Sequence, residues 1–165
     1  MIIKCSENPG VYRVASETLT ESEILEAARG ILDAQYASGF TFNNPTAVGN
    51  FLKHAIGKQD REVFGVLFLD TQHHKIAYEE LFQGAIDTVA VYPREVVRRA
   101  LLLNASALVL AHNHPSGDSS PSSADITLTN KIIDACKTVG LRVLDHIVVG
   151  KVPYSMAENG HCSFN

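Results

Sequence analysis

Ala111-His112-Asn113-His114-Pro115-Ser116-Gly117-Asp118-Ser119-Ser120-Pro121-Ser122-Ser123-Ala124-Asp125 is the stretch whose reading decides the fold. The apolar run 107–111 leads into it and reads as a short buried strand. Pro115, Gly117, Pro121 and the serines read as a loop. Ser122 is placed as the N-cap of a helix reaching about Val139, with Gly140 just past its end. Strand end and helix start therefore turn their polar groups into one loop.

That arrangement predicts a metal site. Residues i and i+2 of a strand share a face, so His112 and His114 aim two imidazoles at one point. Asp125, in the first helical turn, brings a carboxylate back to it. Catalytic zinc sites commonly have three protein ligands and a fourth, open position, and they acidify a water or polarise a carbonyl. A second use of the same residues stays open. Ser122-x-x-Asp125 is close to a capping box, and Asp125 then serves only the helix N-terminus.

The remainder of the chain predicts one ordinary globular core. With 165 residues, 45% hydrophobic and 19% charged, it resembles a typical soluble domain. A net charge of −4 argues against general nucleic-acid binding as the main task. Cys5, Cys136 and Cys162 form no Cys-x-x-Cys pair, so neither a disulfide framework nor a cysteine zinc cluster is expected. The first residues lack the apolar core of a signal peptide, and no apolar run approaches a membrane span. The expected setting is reducing and cytoplasmic.

Residues 1–17 carry no clear pattern. Thr20-Glu21-Ser22-Glu23 is a capping box opening a helix to about Ala37. Asn44-Pro45-Thr46 opens a second helix, stopped at Gly57. These helices are expected to form an N-terminal extension over 1–58, with the main domain over 59–165. Residues 63–69 are apolar on both faces, as in a central strand. A turn at 70–74 and a return strand from Lys75 follow, and a third strand is expected over 85–92. Pro93 suits the first position of a helix ending near Asn104. Residues 142–149 form another strand, with a short last one at 154–156. Adjacent His73 and His74 diverge in their turn, and His54 reads as a surface residue.

The sum of these signals resembles the JAMM (MPN+) metalloprotease motif: His-x-His-Pro, then a Ser, then an Asp three residues on. His112, His114, Pro115, Ser122 and Asp125 match it residue by residue. The motif's upstream Glu, opening an apolar strand, matches Glu62 in Arg61-Glu62-Val63-Phe64-Gly65-Val66. Phe82-Gln83-Gly84, Val91-Tyr92-Pro93-Arg94-Glu95, Pro115-Ser116-Gly117 and Leu144-Asp145-His146-Ile147 narrow the likeness to the RadC-like branch, over about residues 60–160.

The resemblance implies a JAMM/MPN-like α/β fold, cytidine-deaminase-like, with a central mixed β-sheet flanked by helices. It implies Zn²⁺ held by His112, His114 and Asp125. Glu62 is the implied general base and Ser122 the implied oxyanion donor; Glu79, Glu80 and Glu95 compete for the base. The implied reaction is hydrolysis of a peptide or isopeptide amide, the substrate being unidentified. The family's DNA-repair label is carried by its name, and many members add a helix-hairpin-helix module whose Gly-x-Gly signature residues 1–60 lack. DNA association is therefore expected only weakly or through a partner, and oligomeric state is left open. The competing reading is a DNA-repair-associated or partner-binding module with a structural zinc, its fourth ligand from His161 or Cys162. A zinc deaminase is disfavoured because His-x-Glu and Pro-Cys-x-x-Cys are absent.

Overall fold

The computed structural model describes residues 2–4, 12–14, 18–35, 41–84 and 91–164. The chain divides into two compact units, 1–37 and 38–165. In the first, β1 (Ile2–Lys4) pairs antiparallel with β2 (Tyr12–Val14), and α1 spans Glu21–Gln35. Thr20 caps α1 as expected: Glu23 N–H donates to Thr20 Oγ1 at 3.3 Å, and Thr20 N–H donates to Glu23 Oε2 at 2.9 Å. The extension is thus part strand rather than helical throughout.

The second unit is built on a five-stranded mixed sheet of β3 (Val63–Leu69), β4 (Lys75–Gln83), β5 (Ala107–Asn113), β6 (Arg142–Val149) and β7 (Pro153–Ser155), ordered β4-β3-β5-β6-β7. Only β5 and β6 run parallel, joined through α4 (Ser123–Thr138). Parallel neighbours need such a crossover, and both strands are buried along almost their whole length. Period two then sorts the side chains. Phe64, Val66, Phe68, Leu108, Leu110 and Val143 pack with Val96 and Ala100 of α3 (Pro93–Leu102) and Ile132, Ile133 and Cys136 of α4. Phe51 of α2 (Pro45–Ile56) meets Tyr78 of β4 edge to face, with ring centroids 5.7 Å apart.

Asn44 caps α2, accepting from Thr46 N–H at 2.8 Å, and Pro45 takes the first helical turn. This helix packs against β5, β6 and β7. The boundary expected at 58/59 therefore falls inside the compact unit, which begins at Ser38. The apolar face of α2 is covered by the sheet, a contact that its helical periodicity alone does not reveal. The strand expected over 85–92 lies mostly outside the described residues, and Val91 and Tyr92 are not in a strand. Among the described residues, no helix is long and apolar enough to cross a membrane.

Candidate metal centre

His112 is the penultimate residue of β5, buried like the rest of the strand, and His114 follows where the chain leaves the sheet. Asp125 sits in the first turn of α4. The three meet as the His-x-His period and the helix start require. His112 Nε2 lies 2.9 Å from His114 Nε2 and 3.3 Å from Asp125 Oδ1, and His114 Nε2 lies 3.7 Å from Asp125 Oδ2. Among the described residues this is the group able to hold a metal ion. Tetrahedral zinc with bonds near 2.0–2.1 Å places its ligand atoms about 3.3 Å apart, and the three separations bracket that value. His112 and Asp125 are buried, while the His114 side chain keeps 17% of its surface exposed. The cluster is therefore open on the His114 side.

Each ligand atom is held from behind. His114 Nδ1 donates to the Asp118 carbonyl at 2.7 Å. A carbonyl only accepts, so in the neutral ring Nε2 carries the lone pair and faces the cluster. The His112 ring is met from behind by His146, with Nδ1 to Nε2 at 2.8 Å. Burial raises Asp125, but His112, through hydrogen bond and charge, and then Ser122 outweigh it and hold the carboxyl far below its ordinary range. Complete burial, with His112 beside it, holds His146 well below the ordinary imidazole range.

Ser122 is the N-cap that the loop pattern predicts. Asp125 N–H donates to its Oγ at 3.1 Å, while Ser122 N–H and Oγ both donate to Asp125 Oδ2 at 2.7 Å. The capping box and the metal cluster thus use the same carboxylate; the two readings of Asp125 are compatible. The Ser122 hydroxyl proton is committed to Asp125 here, so an oxyanion-donor role requires that hydroxyl to turn.

Glu62 precedes β3. Glu62 lies two residues before Phe64, which pairs with His112 across β3 and β5. Its carboxylate is outside the three-residue cluster. Its backbone is fixed from two sides. Gly84 N–H donates to the Glu62 carbonyl at 2.8 Å. Buried Asn113 accepts from Val63 N–H at 2.7 Å and donates to the carbonyls of Gln59 and Arg61 at 3.3 and 3.1 Å. Asn113 is the middle residue of His-x-His, so period two turns it to the opposite face. That was its available signal; the partners, some fifty residues back, carried none.

The competitors for the base are engaged or remote. Glu79 pairs with Arg99, and Glu95 with Arg94 and Arg98; Glu80 is an exposed residue of β4. His161 Nε2 meets Tyr154 Oη at 2.7 Å, and Cys162 Sγ faces the Ile126 carbonyl at 4.0 Å. Neither joins the cluster. His73 and His74 also part, toward Arg142 and Asp70. In the Asp145-His146 pair, Asp145 accepts from Ser155 Oγ at 2.5 Å and Ala157 N–H at 2.9 Å, tying β6 to the turn after β7.

The family model of the RadC-like JAB domain matches residues 42–161. A UPF0758 protein of Vibrio cholerae is 46% identical over 145 residues, covering 88% of this chain and 92% of that protein. One from Stenotrophomonas maltophilia is 52% identical over 154 residues, covering 92% of this chain and 65% of its own length. Another, from Leptothrix cholodnii, is 51% identical over 138 residues, covering 83% and 62%. The chain thus spans nearly all of the first and under two thirds of the other two. Their names specify no reaction.

Proposed function

The chain belongs to the RadC-like JAB domain family, and on that premise we propose that it is a zinc-dependent hydrolase of amide bonds, acting on a peptide or isopeptide. The observation that carries this reading is the convergence of two imidazole nitrogens and a carboxylate oxygen, 2.9, 3.3 and 3.7 Å apart, on a point open at His114. His112, His114 and Asp125 would hold the ion, which when bound supplies Lewis acidity and an acidified water.

The chain's own residues do the rest. Glu62, just before β3, takes a proton from the attacking water and delivers it to the leaving amine. Ser122, once its hydroxyl turns from Asp125, donates to the developing oxyanion. Asn113 and Gly84 hold the backbone that carries Glu62. A closed structural site is disfavoured because His161 and Cys162, its candidate fourth ligands, are engaged elsewhere. The free thiols of Cys136 and Cys162 suit a reducing, cytoplasmic setting. DNA association, if it occurs, is weak or runs through a partner.

The test begins with metal. The purified protein should hold about one zinc per chain and lose most of it in His112→Ala and His114→Ala; full zinc in both variants sinks the assignment. A peptide and isopeptide library should then show zinc-dependent cleavage that Glu62→Gln reduces on the order of 10²–10⁴-fold.

A further inference from the structure

Behind the metal cluster lies a buried circuit that the proposed reaction does not use. Thr129 Oγ1, one turn beyond Asp125 in α4, donates to the Asp125 carbonyl at 2.6 Å. The same oxygen lies 2.6 Å from His146 Nδ1, and His146 Nε2 lies 2.8 Å from His112 Nδ1. Thr129 and His146 have no exposed surface.

The directions of these bonds follow from counting protons. The hydroxyl has one hydrogen, spent on the Asp125 carbonyl, so it meets His146 with a lone pair. His146 Nδ1 must then carry the proton of that contact. Among the described residues no carboxylate hydrogen-bonds the His146 ring. A buried imidazolium without a paired anion is costly, so the ring is neutral and its Nε2 accepts. His112 Nδ1 therefore donates to His146, and with an ion bound it is His112 Nε2 that offers the lone pair to it.

We infer that His146 is a positioning residue for the metal centre: it accepts the Nδ1 proton of His112, fixes that ring to ligate through Nε2, and is itself held by Thr129. Metal-bound histidines commonly donate their second nitrogen to a carboxylate or carbonyl. Here a neutral histidine takes that place, and one threonine ties the ligand of β5 to the ligand of α4. This rests on the metal reading of His112, His114 and Asp125, and the experiment separates the two.

Zinc affinity is measured by chelator competition on wild-type, His146→Ala, His146→Gln and Thr129→Val proteins, each checked by thermal melt. Histidine tautomers of the zinc-loaded wild type are read by long-range ¹H–¹⁵N correlation. His146→Ala should weaken zinc binding about 10–100-fold, the range for such supporting partners. His146→Gln, whose amide oxygen also accepts, should recover most of the loss, and Thr129→Val should fall between. The zinc-loaded spectrum should show His112 and His146 each protonated on Nδ1. Wild-type affinity in folded His146→Ala, or a His112 protonated on Nε2, overturns the inference. If His146→Ala does not fold, the glutamine and valine variants and the wild-type spectrum still decide. If the wild type binds no zinc, the metal reading fails and this inference falls with it, whereas wild-type zinc binding with an unchanged affinity in His146→Ala overturns the inference alone.

Discussion

Replacing Asp125 by Asn separates the ion from the fold. The carboxylate supplies the negative charge of the cluster, at 3.3 and 3.7 Å from the two ring nitrogens. It also accepts two hydrogen bonds of 2.7 Å from Ser122. An amide keeps the shape, but one of its two positions becomes a donor facing donors. Losing the reciprocal half of the capping box should cost about 1 kcal/mol, and losing the charge at the helix start about 0.3–1 kcal/mol more. At roughly 2–4 °C per kcal/mol for a chain of this size, the metal-free melting temperature should fall by about 3–8 °C. Zinc affinity should fall further, by more than the roughly 10–100-fold typical of a supporting partner, because a ligand itself is changed. The assay pairs chelator competition with melts in the presence and absence of zinc, and Glu62→Gln is the control. That variant should keep wild-type affinity and melting. If Asp125→Asn binds zinc as wild type does, Asp125 is only a cap. If Glu62→Gln loses zinc equally, Glu62 is a fourth ligand and the site is closed.

Three further outcomes are expected. The Arg99 hydrogen bond, and then its charge, hold the Glu79 carboxyl below its ordinary 4.5; this partly exposed pair contributes at most about 1 kcal/mol. That contribution is present above the ordinary value and fades as pH falls through the lowered one, so denaturant titrations across pH should show Glu79→Gln converging on wild type in acid; a constant difference refutes the pairing. A Cβ on Gly65 would lie 2.8 Å from Cε2 and Cζ of Tyr78 and nearer still to its hydroxyl, so Gly65→Ala should destabilise by about 1–3 kcal/mol in urea melts, and an unchanged midpoint would show that β4 yields freely. With a net charge of −4, duplex DNA should bind weakly and with strong salt dependence; tight binding at physiological salt in an anisotropy titration would favour the DNA-associated reading.

What the sequence by itself determined is local. The period of two that aims His112 and His114 together, the caps at Thr20, Asn44 and Ser122, and Pro93 opening α3 all act within two to four residues. Neighbours in the chain settle such features, and the structure holds each of them. Asp125 was legible for the same reason, three residues from its cap. The tertiary structure decided whatever depends on which strand lies beside which. Asn113 clamps a segment about fifty residues away, and α2 belongs with the sheet because β5, β6 and β7 cover its apolar face. His146 appears in the sequence only as half of an Asp-His pair in a strand. It reaches His112 because α4 carries the chain across and lays β6 parallel to β5, pairing Leu110 with His146. Period two then sends its ring to the α4 face, behind the metal ligands, and sends Asp145 away from them.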